Sequence, residues 1–271
     1  MKKWKMGLLI LAVAVVFVPA MSAQSSLKGL SLNGTTGLYN IPSGRISWER
    51  SSDFGLDFGY HTIFSGRNNH IPTITVSLLK WVELAGAFDF QPQQRQQGDE
   101  FDFIISGKFQ LPTKLTAVAI GGNYQHINHG TTVSTPNEII SRNAGQIYLA
   151  TTFAGNFFSM PAETTVVVGY TFKNGGGDNI DFGMGFDLVL FPQAFQQYAH
   201  WVLDFSNYSY SDNPWGADAG SRGCLNTGIR FDLSHLPGLG KYKFVIDIML
   251  LDAFDSDRSF SLGGAFGIPL K

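Results

Sequence analysis

The chain has a single cysteine, Cys224, and little charge: Asp, Glu, Lys and Arg make up 15% of its 271 residues. A lone cysteine forms no intrachain disulfide, which excludes a disulfide-stabilised extracellular scaffold. Lysine and arginine are nowhere concentrated, so the chain is not a nucleic-acid-binding protein. After the first residues, no apolar run reaches the ~20 residues of a membrane-spanning helix, which excludes a helical membrane protein.

The N-terminus predicts export. Lys2, Lys3 and Lys5 give a basic start, residues 7–19 are apolar, and small residues follow up to Ala23. This arrangement is typical of a cleaved signal peptide, here residues 1–23. Its removal takes away three lysines and no acids, so the mature chain has 16 basic and 21 acidic residues and a formal charge of −5.

Twelve later segments alternate apolar with polar or small residues at period two. In the clearest, residues 180–190, Ile180, Phe182 and Met184 share one face, and Asp181 and Asp187 lie on the other. Successive side chains of a strand point to opposite faces, so each segment predicts a strand with one apolar side. The segments are 53–64, 70–79, 81–91, 100–111, 115–127, 142–154, 163–173, 179–190, 199–210, 222–233, 241–251 and 259–268.

An exported chain with these strands predicts an all-β fold: an antiparallel, up-and-down transmembrane β-barrel of about 12 strands in the outer membrane, over residues 53–271. Aromatic residues gather near strand ends, as in the girdles of such barrels. A soluble β-sandwich is the alternative. Its second face is commonly rich in Lys and Glu, whereas the second face here is rich in Gly, Ala, Ser, Asn and Gln.

The second face also carries the ionisable residues that we expect to line the lumen. Rings of acids select cations in pores, but such groups also pair across a closed interior. Arg230 and Asp232, with Lys243 and Asp247 on the next strand, would form a charged ladder, either structural or able to bind an acidic sugar. The lumen candidates are Asp57, His61, Glu83, Asp89, Asp102, Lys108, Asp181, Asp187, His200, Asp204, Arg230, Asp232, Lys243 and Asp247.

Residues 24–52 do not alternate, and their glycines and Pro42 predict an irregular path into or beneath the lumen. Within them, Thr36-Gly37-Leu38 and Pro42-Ser43-Gly44-Arg45 resemble the N-terminal signature of YjbH-like outer-membrane barrels, with Gly44 where alanine is usual. The resemblance implies a compact single-barrel relative of that family and a link to exopolysaccharide.

The last predicted strand carries a second resemblance. Ser261, Gly263, Phe266 and Ile268 are similar to the signal that the outer-membrane assembly machinery recognises. Here the chain continues to Pro269-Leu270-Lys271 instead of ending on an aromatic residue. The resemblance implies that this machinery is a partner, together with outer-membrane lipids.

The pattern predicts a channel for small polar solutes, either saccharides or cations, without a cofactor, catalytic residues or a metal site. One alternative is a non-transporting surface barrel, for which the resemblance implies a link to exopolysaccharide. A second is an outer-membrane hydrolase that pairs His200 with a serine such as Ser206, although the chain has no Gly-x-Ser-x-Gly motif.

Overall fold

The computed structural model describes residues 29–49, 51–64, 68–91, 100–113, 116–130, 139–173, 179–195, 197–207, 223–255 and 258–270. The predicted signal peptide lies outside these residues. The strands are β1 (Phe54–Phe64), β2 (Asn68–Leu78), β3 (Val82–Gln91), β4 (Glu100–Leu111), β5 (Ala117–Gly130), β6 (Ile139–Phe157), β7 (Met160–Lys173), β8 (Asn179–Val189), β9 (Ala199–Ser206), β10 (Cys224–Asp232), β11 (Lys243–Leu251) and β12 (Ser259–Leu270).

The twelve strands form one closed barrel. Each strand pairs antiparallel with its neighbours in the sequence, and β1 closes the ring by pairing with β12. The prediction of a twelve-stranded up-and-down barrel is therefore confirmed. Phe54 pairs with Leu270, so both ends of the barrel sequence lie at one rim, called here the terminal end; the opposite rim is the far end.

The connections that the structure describes add little regular structure. A four-residue helix, α1 (Pro192–Phe195), follows β8, and a 3-10 turn (Leu233–His235) follows β10. No helix within the described ranges is long and apolar enough to cross a bilayer.

The outer wall is apolar, as the period-two pattern requires. On β1, Phe58 and Tyr60 are each 47% exposed, whereas Asp57 and His61, one residue along, are buried inside. Exposed apolar side chains recur around the barrel, among them Leu84, Ile105, Ile120, Ile147, Phe182, Met184, Ile248 and Leu262. A closed barrel leaves no strand edge unpaired, and an oily outer wall is stable only against lipid. The barrel therefore spans a membrane, and its architecture is that of the outer membrane.

One hairpin differs from the sequence-based prediction. Residues 155–162 were expected to form a connection, partly because Pro161 disfavours strand pairing. Instead β6 continues to Phe157 and Pro161 pairs with Asn156 in the ladder. Phe158 and Ser159 make the turn with positive φ values of 48° and 66°. A two-residue hairpin turn needs this conformation, but Gly and Asn usually supply it, so Phe158 and Ser159 are no turn signal.

The interior contains a folded segment of the chain, residues 29–49, which we call the plug. Almost every residue of the plug is buried, including Leu30, Leu38 and Tyr39 at 0–1% exposure. The β-bridges outside the barrel strands are internal to the plug and join Leu30 to Thr36 and Gly37 to Pro42. The barrel wall is therefore complete without the plug, which fills it as a separate piece.

Candidate functional site

The plug is organised around two turns. In the first, the Asn33 side chain accepts hydrogen bonds from the backbone N–H and the hydroxyl of Thr35, while Gly34 takes a φ of +86° that favours glycine. In the second, the N–H of Leu38 donates to the carbonyl of Ile41 over 3.0 Å, with Tyr39 and Asn40 at the tip. These turns present backbone N–H and C=O groups outward, so the wall must satisfy them.

A buried ion pair on the wall binds the plug at Thr36. Glu83 of β3 and Lys108 of β4 are cross-strand partners with a 3.1 Å Nζ to Oε1 distance. Glu83 accepts hydrogen bonds from both the N–H and the hydroxyl of Thr36, each at 2.7 Å. Lys108 donates to the Thr36 carbonyl at 2.9 Å. The pair therefore engages every polar group of this residue.

On the opposite side of the barrel, Asp204 of β9 binds the tip of the second turn. One carboxylate oxygen accepts the backbone N–H groups of Tyr39 and Asn40, both at 2.8 Å. The other accepts the side-chain amide of Asn226, its cross-strand partner on β10, at 2.8 Å. Asn40 also donates to Ser206 of β9 over 3.0 Å. Because the acceptor is charged, these bonds are stronger than neutral ones.

A network centred on Arg230 of β10 forms the third contact. Its guanidinium donates to both oxygens of Asp247, at 2.7 and 3.1 Å, and a third nitrogen lies 3.4 Å from Asp187. The same nitrogen donates to the Gly37 carbonyl of the plug at 3.2 Å. His200 extends the network, since its Nδ1 lies 2.5 Å from Asp187.

Near the terminal end, the last turn of the plug is bound by two more carboxylates. Asp57 of β1 accepts from the Ser47 hydroxyl at 2.5 Å and from the Trp48 indole N–H at 3.0 Å. Lys243 of β11 donates to Ser47 at 2.7 Å. On the other side, Arg45 pairs with Glu163 of β7 at 2.8 Å.

Smaller contacts complete the attachment: Thr75 donates to the Gly34 carbonyl, Asn33 to Asn123, and the Gly44 N–H to Thr152. Ten strands, β1–β7 and β9–β11, thus hydrogen-bond the plug directly. The plug is held by side chains all round the ring, while its backbone joins no barrel strand by a bridge within the described residues.

Sequence reasoning missed an apolar layer between these polar contacts. Apolar side chains on the inner face pack onto Leu32, Leu38, Tyr39 and Ile41 of the plug. The wall members are Ile63, Ile71, Ala87, Ile104, Tyr148, Ala150, Val167, Val202, Met249 and Leu251. The signal was present, because Ile63 shares the strand face of Asp57 and His61. Buried polar groups lie at this level too, among them Asp102 of β4 and Asp181 of β8, so polar and apolar side chains are mixed in the interior.

The structure buries thirteen of the fourteen predicted lumen residues inside the barrel, and Asp89 is half-buried. Glu83, Lys108, Asp204, Arg230, Asp57 and Lys243 contact the plug directly. Asp187, His200 and Asp247 do so through Arg230, and Asp181 binds Gln146 and Thr171 within the wall. Their role in passage stays a prediction.

The predicted ladder forms only in part. Arg230 pairs with Asp247, but Lys243 lies 3.4 Å from Asp57. Asp232 instead accepts the Ser234 N–H at 2.9 Å and thereby caps the 3-10 turn. Asp232 therefore stabilises the 3-10 turn, whereas Arg230 and Lys243 bind the plug.

The N-terminal motif now has a physical basis, because each of its residues belongs to the plug. Thr36 is bound by Glu83, Leu38 packs in the apolar layer, and Arg45 pairs with Glu163. Gly37 bridges to Pro42, and a Cβ added at Gly37 would lie 2.3 Å from the Ile41 carbonyl oxygen. The motif residues are the ones that fold the plug and attach it.

The pairing expected of a hydrolase is not formed. The two ring nitrogens of His200 face Asp187 and the Gln197 carbonyl, at 2.5 and 3.0 Å. Ser206 accepts a hydrogen bond from Asn40 of the plug. Across the described ranges, no group of three His, Cys, Asp or Glu side chains could bind a metal ion.

The last strand places Ser261 and Gly263 on the inner face and Phe266 on the outer face, where it is 44% exposed. This alternation fits β12 into the barrel and does not test recognition by the assembly machinery.

Comparison with known proteins supports the fold and leaves the family open. No protein-family model and no curated protein matches the chain. Among solved structures, the KdgM porin is similar with a TM-score of 0.50 at 6% identity, over 79% of this chain and 99% of that one. Omp33 of Acinetobacter baumannii has a TM-score of 0.43 at 10% identity, over 81% and 98% of the two chains. LpxR from Salmonella typhimurium has 0.44 at 8%, over 80% and 100%. The likeness to the KdgM porin shows a shared barrel fold.

Proposed function

We propose that this protein is an outer-membrane channel for small polar solutes, and that the plug closes it in the described conformation. The main support is the way in which the plug is attached. Side-chain hydrogen bonds and ion pairs hold it, while the ladder from β1 to β12 closes without it. Displacing the plug would therefore leave a complete barrel with an accessible lumen. The KdgM porin, which shares the fold, is named for a channel function.

The charge of the wall favours neutral and cationic solutes. On the described strands, buried carboxyl side chains outnumber buried lysines and arginines by nine to three. With the plug in place, several of these carboxylates accept hydrogen bonds from plug N–H and O–H groups. Once the plug leaves, the same groups would face the solute path, and acid-lined pores favour cations over anions.

The resemblance of the plug motif to YjbH-like barrels supports saccharides as the neutral solutes. Sugar hydroxyls can use the same acceptors and donors that now bind the plug backbone, such as Asp204, Asn226 and the Glu83–Lys108 pair. A link to exopolysaccharide rests on this resemblance, as recognition by the assembly machinery rests on the β12 signal.

The second candidate is a barrel that never opens and serves at the cell surface. The observation that favours it is the almost complete burial of the plug, which packs into the apolar layer with Leu38, Ile41 and Met249 at 0% exposure. Dewetted apolar constrictions also act as gates in channels, so this layer is compatible with both candidates.

A disulfide lock tests whether the plug is the gate. A Cβ at Gly34 of the plug would lie 3.2 Å from the Cβ of Ala85 on β3, slightly closer than the about 3.8 Å typical of disulfides. We therefore suggest Gly34→Cys with Ala85→Cys in a Cys224→Ser background, reconstituted in planar bilayers. The oxidised protein should stay closed and the reduced protein should show openings. Comparing the two states of one variant removes the strain of a cysteine at Gly34 from the comparison.

A variant lacking residues 29–49 provides the second arm and should conduct persistently, with cations favoured over anions. Heat-modifiable gel migration would show that each variant has folded. If the folded parent, the reduced lock variant and the plugless barrel all fail to conduct, the channel proposal is wrong and the closed surface barrel takes its place.

A further inference from the structure

His61 of β1 is buried against the plug without the hydrogen bonds that a buried imidazole normally makes. It is 1% exposed, neither ring nitrogen forms a hydrogen bond of normal geometry, and the nearest acceptor is the backbone carbonyl of Leu30 in the plug. His200 offers the contrast, because oxygen acceptors face both of its nitrogens. Buried polar groups are almost always satisfied, so an exception at the surface of the plug calls for an explanation.

The surroundings of His61 come from the plug and from both neighbouring strands. The Tyr39 ring of the plug meets the imidazole edge to face, with centroids 5.5 Å apart and an interplanar angle of 88°. The cross-strand partners of His61 are Ile71 on β2 and Gly263 on β12, and neither is titratable. A Cβ at Gly263 would lie 2.1 Å from Nδ1, so the imidazole lies directly over this glycine.

Two charged groups act on the ring from further around the wall. Asp247 of β11 is the other cross-strand partner of Gly263, so only a glycine separates it from His61 in the row. Beyond it lies Arg230 of β10, which binds both oxygens of Asp247 and the Gly37 carbonyl of the plug. The carboxylates of Asp89 and Asp204 interact electrostatically with Tyr39 of the plug. The Asp247 carboxylate is therefore already bound to Arg230, which also binds the plug.

We propose that His61 is a proton-operated release for the plug, so that acidification opens the barrel. This inference rests on the proposed function only in its last step, from plug release to conduction. Protonation gives the imidazole a second N–H donor and a positive charge, beside the Tyr39 ring and in the same row of the wall as the buried Arg230. In the closed barrel the Leu30 carbonyl can accept one N–H, but the carboxylate of this row, Asp247, is already bound to Arg230, and burying an unpaired charge is costly.

With the plug displaced, water in the lumen hydrates the imidazolium. The open state therefore binds the proton better, and proton binding shifts the population towards that state. The imidazolium would also attract Asp247 and repel Arg230, which weakens the grip of Arg230 on Gly37. An imidazole titrates near pH 6.5 when unperturbed, and one linked proton changes the equilibrium by at most about tenfold per pH unit.

The experiment follows plug release directly, by hydrogen exchange of the Tyr39 and Asn40 amides in detergent-refolded mature protein. Exchange would be measured at pH 7.5, 6.5 and 5.5 and corrected for the intrinsic rate at each pH. Opening of the parent should rise with falling pH, by up to about tenfold per unit below pH 6.5. His61→Gln should abolish the rise. His70→Gln, at a histidine hydrogen-bonded to Tyr60 on the lipid side, should preserve it.

Two results would overturn the proposal: a parent plug whose opening does not depend on pH, or a His61→Gln variant that responds like the parent. If His61→Gln does not fold, His61→Asn serves as the neutral replacement. Conductance at the same pH values separates the two proposals. A pH-dependent plug in a barrel that never conducts would refute only the channel function. Conductance that ignores pH, through a plug that ignores it too, would refute only the role of His61.

Discussion

The attachment of the plug at Asp204 gives the sharpest prediction. In Asp204→Asn, one of the two acceptor oxygens becomes an NH2 donor. That donor must face either the two plug N–H groups of Tyr39 and Asn40 or the amide of Asn226, all of which are donors in the parent. The substitution preserves the size of the side chain but removes its charge and one acceptor. The plug therefore loses its strongest contact on that side of the barrel.

The magnitude follows from the number of bonds affected. Hydrogen bonds to charged groups contribute about 1.5–3 kcal/mol each, so weakening two of them costs about 3 kcal/mol of plug attachment. Since about 1.4 kcal/mol changes an equilibrium tenfold, the plug should be displaced about 100-fold more often. Hydrogen exchange of the Tyr39 and Asn40 amides, measured by mass spectrometry at constant pH, reports this population.

Asp181→Asn is the matched control. Asp181 is equally buried, but Gln146 and Thr171, which donate hydrogen bonds to it, belong to the wall. Its loss should destabilise the wall locally and leave plug exchange close to that of the parent. Plug exchange that stays unchanged in Asp204→Asn, or that rises equally in Asp181→Asn, would refute the assignment of Asp204 as a plug contact.

Further predictions concern the wall, the lipid face and selectivity. Glu83→Gln leaves Lys108 buried without its carboxylate and should lower the free energy of unfolding in urea by about 3–5 kcal/mol. Adding Lys108→Met should recover part of this loss. If the effects of the two substitutions simply add, the two residues do not act as a pair. Ile105→Arg, at an outward position that is 59% exposed, should cost about 2–4 kcal/mol in lipid vesicles, whereas Phe254→Arg in the turn after β11 should cost under about 1 kcal/mol. Equal costs would place the lipid band elsewhere. In the barrel lacking residues 29–49, Asp187→Asn with Asp204→Asn should reduce cation selectivity in reversal-potential measurements, and unchanged selectivity would show that these acids do not govern passage.

The wall was predictable because its information is local. Period-two alternation placed Phe58 on the outer face and Asp57 on the inner face from the neighbouring residues alone. The same alternation identified all fourteen lumen candidates. It also contained the apolar layer, because Ile63 and Met249 share the inner faces of their strands. That layer was missed since apolar residues were assigned to lipid wherever they stood.

The plug contacts and the turn at Phe158–Ser159 were not predictable, for different reasons. Asp204 meets Tyr39 across 165 positions of sequence, and no period links them. The hairpin turn at Phe158–Ser159 uses positive φ at residues that rarely adopt it. Its closure is imposed by the ladder between β6 and β7, so the composition of the turn carried no signal. The turn at Leu79–Lys80 has positive φ as well, but its place was predicted by the gap between segments 70–79 and 81–91.

The covalent connection between plug and wall has one more consequence. Only four residues separate Glu49 of the plug from Phe54 of β1, so the plug is a ligand tethered at the mouth of its own receptor. Short tethers create effective concentrations in the millimolar range. Reclosure is therefore unimolecular, and its rate does not depend on the protein concentration. A dissolved solute that binds the same carboxylates must compete with the effective concentration of the tethered plug.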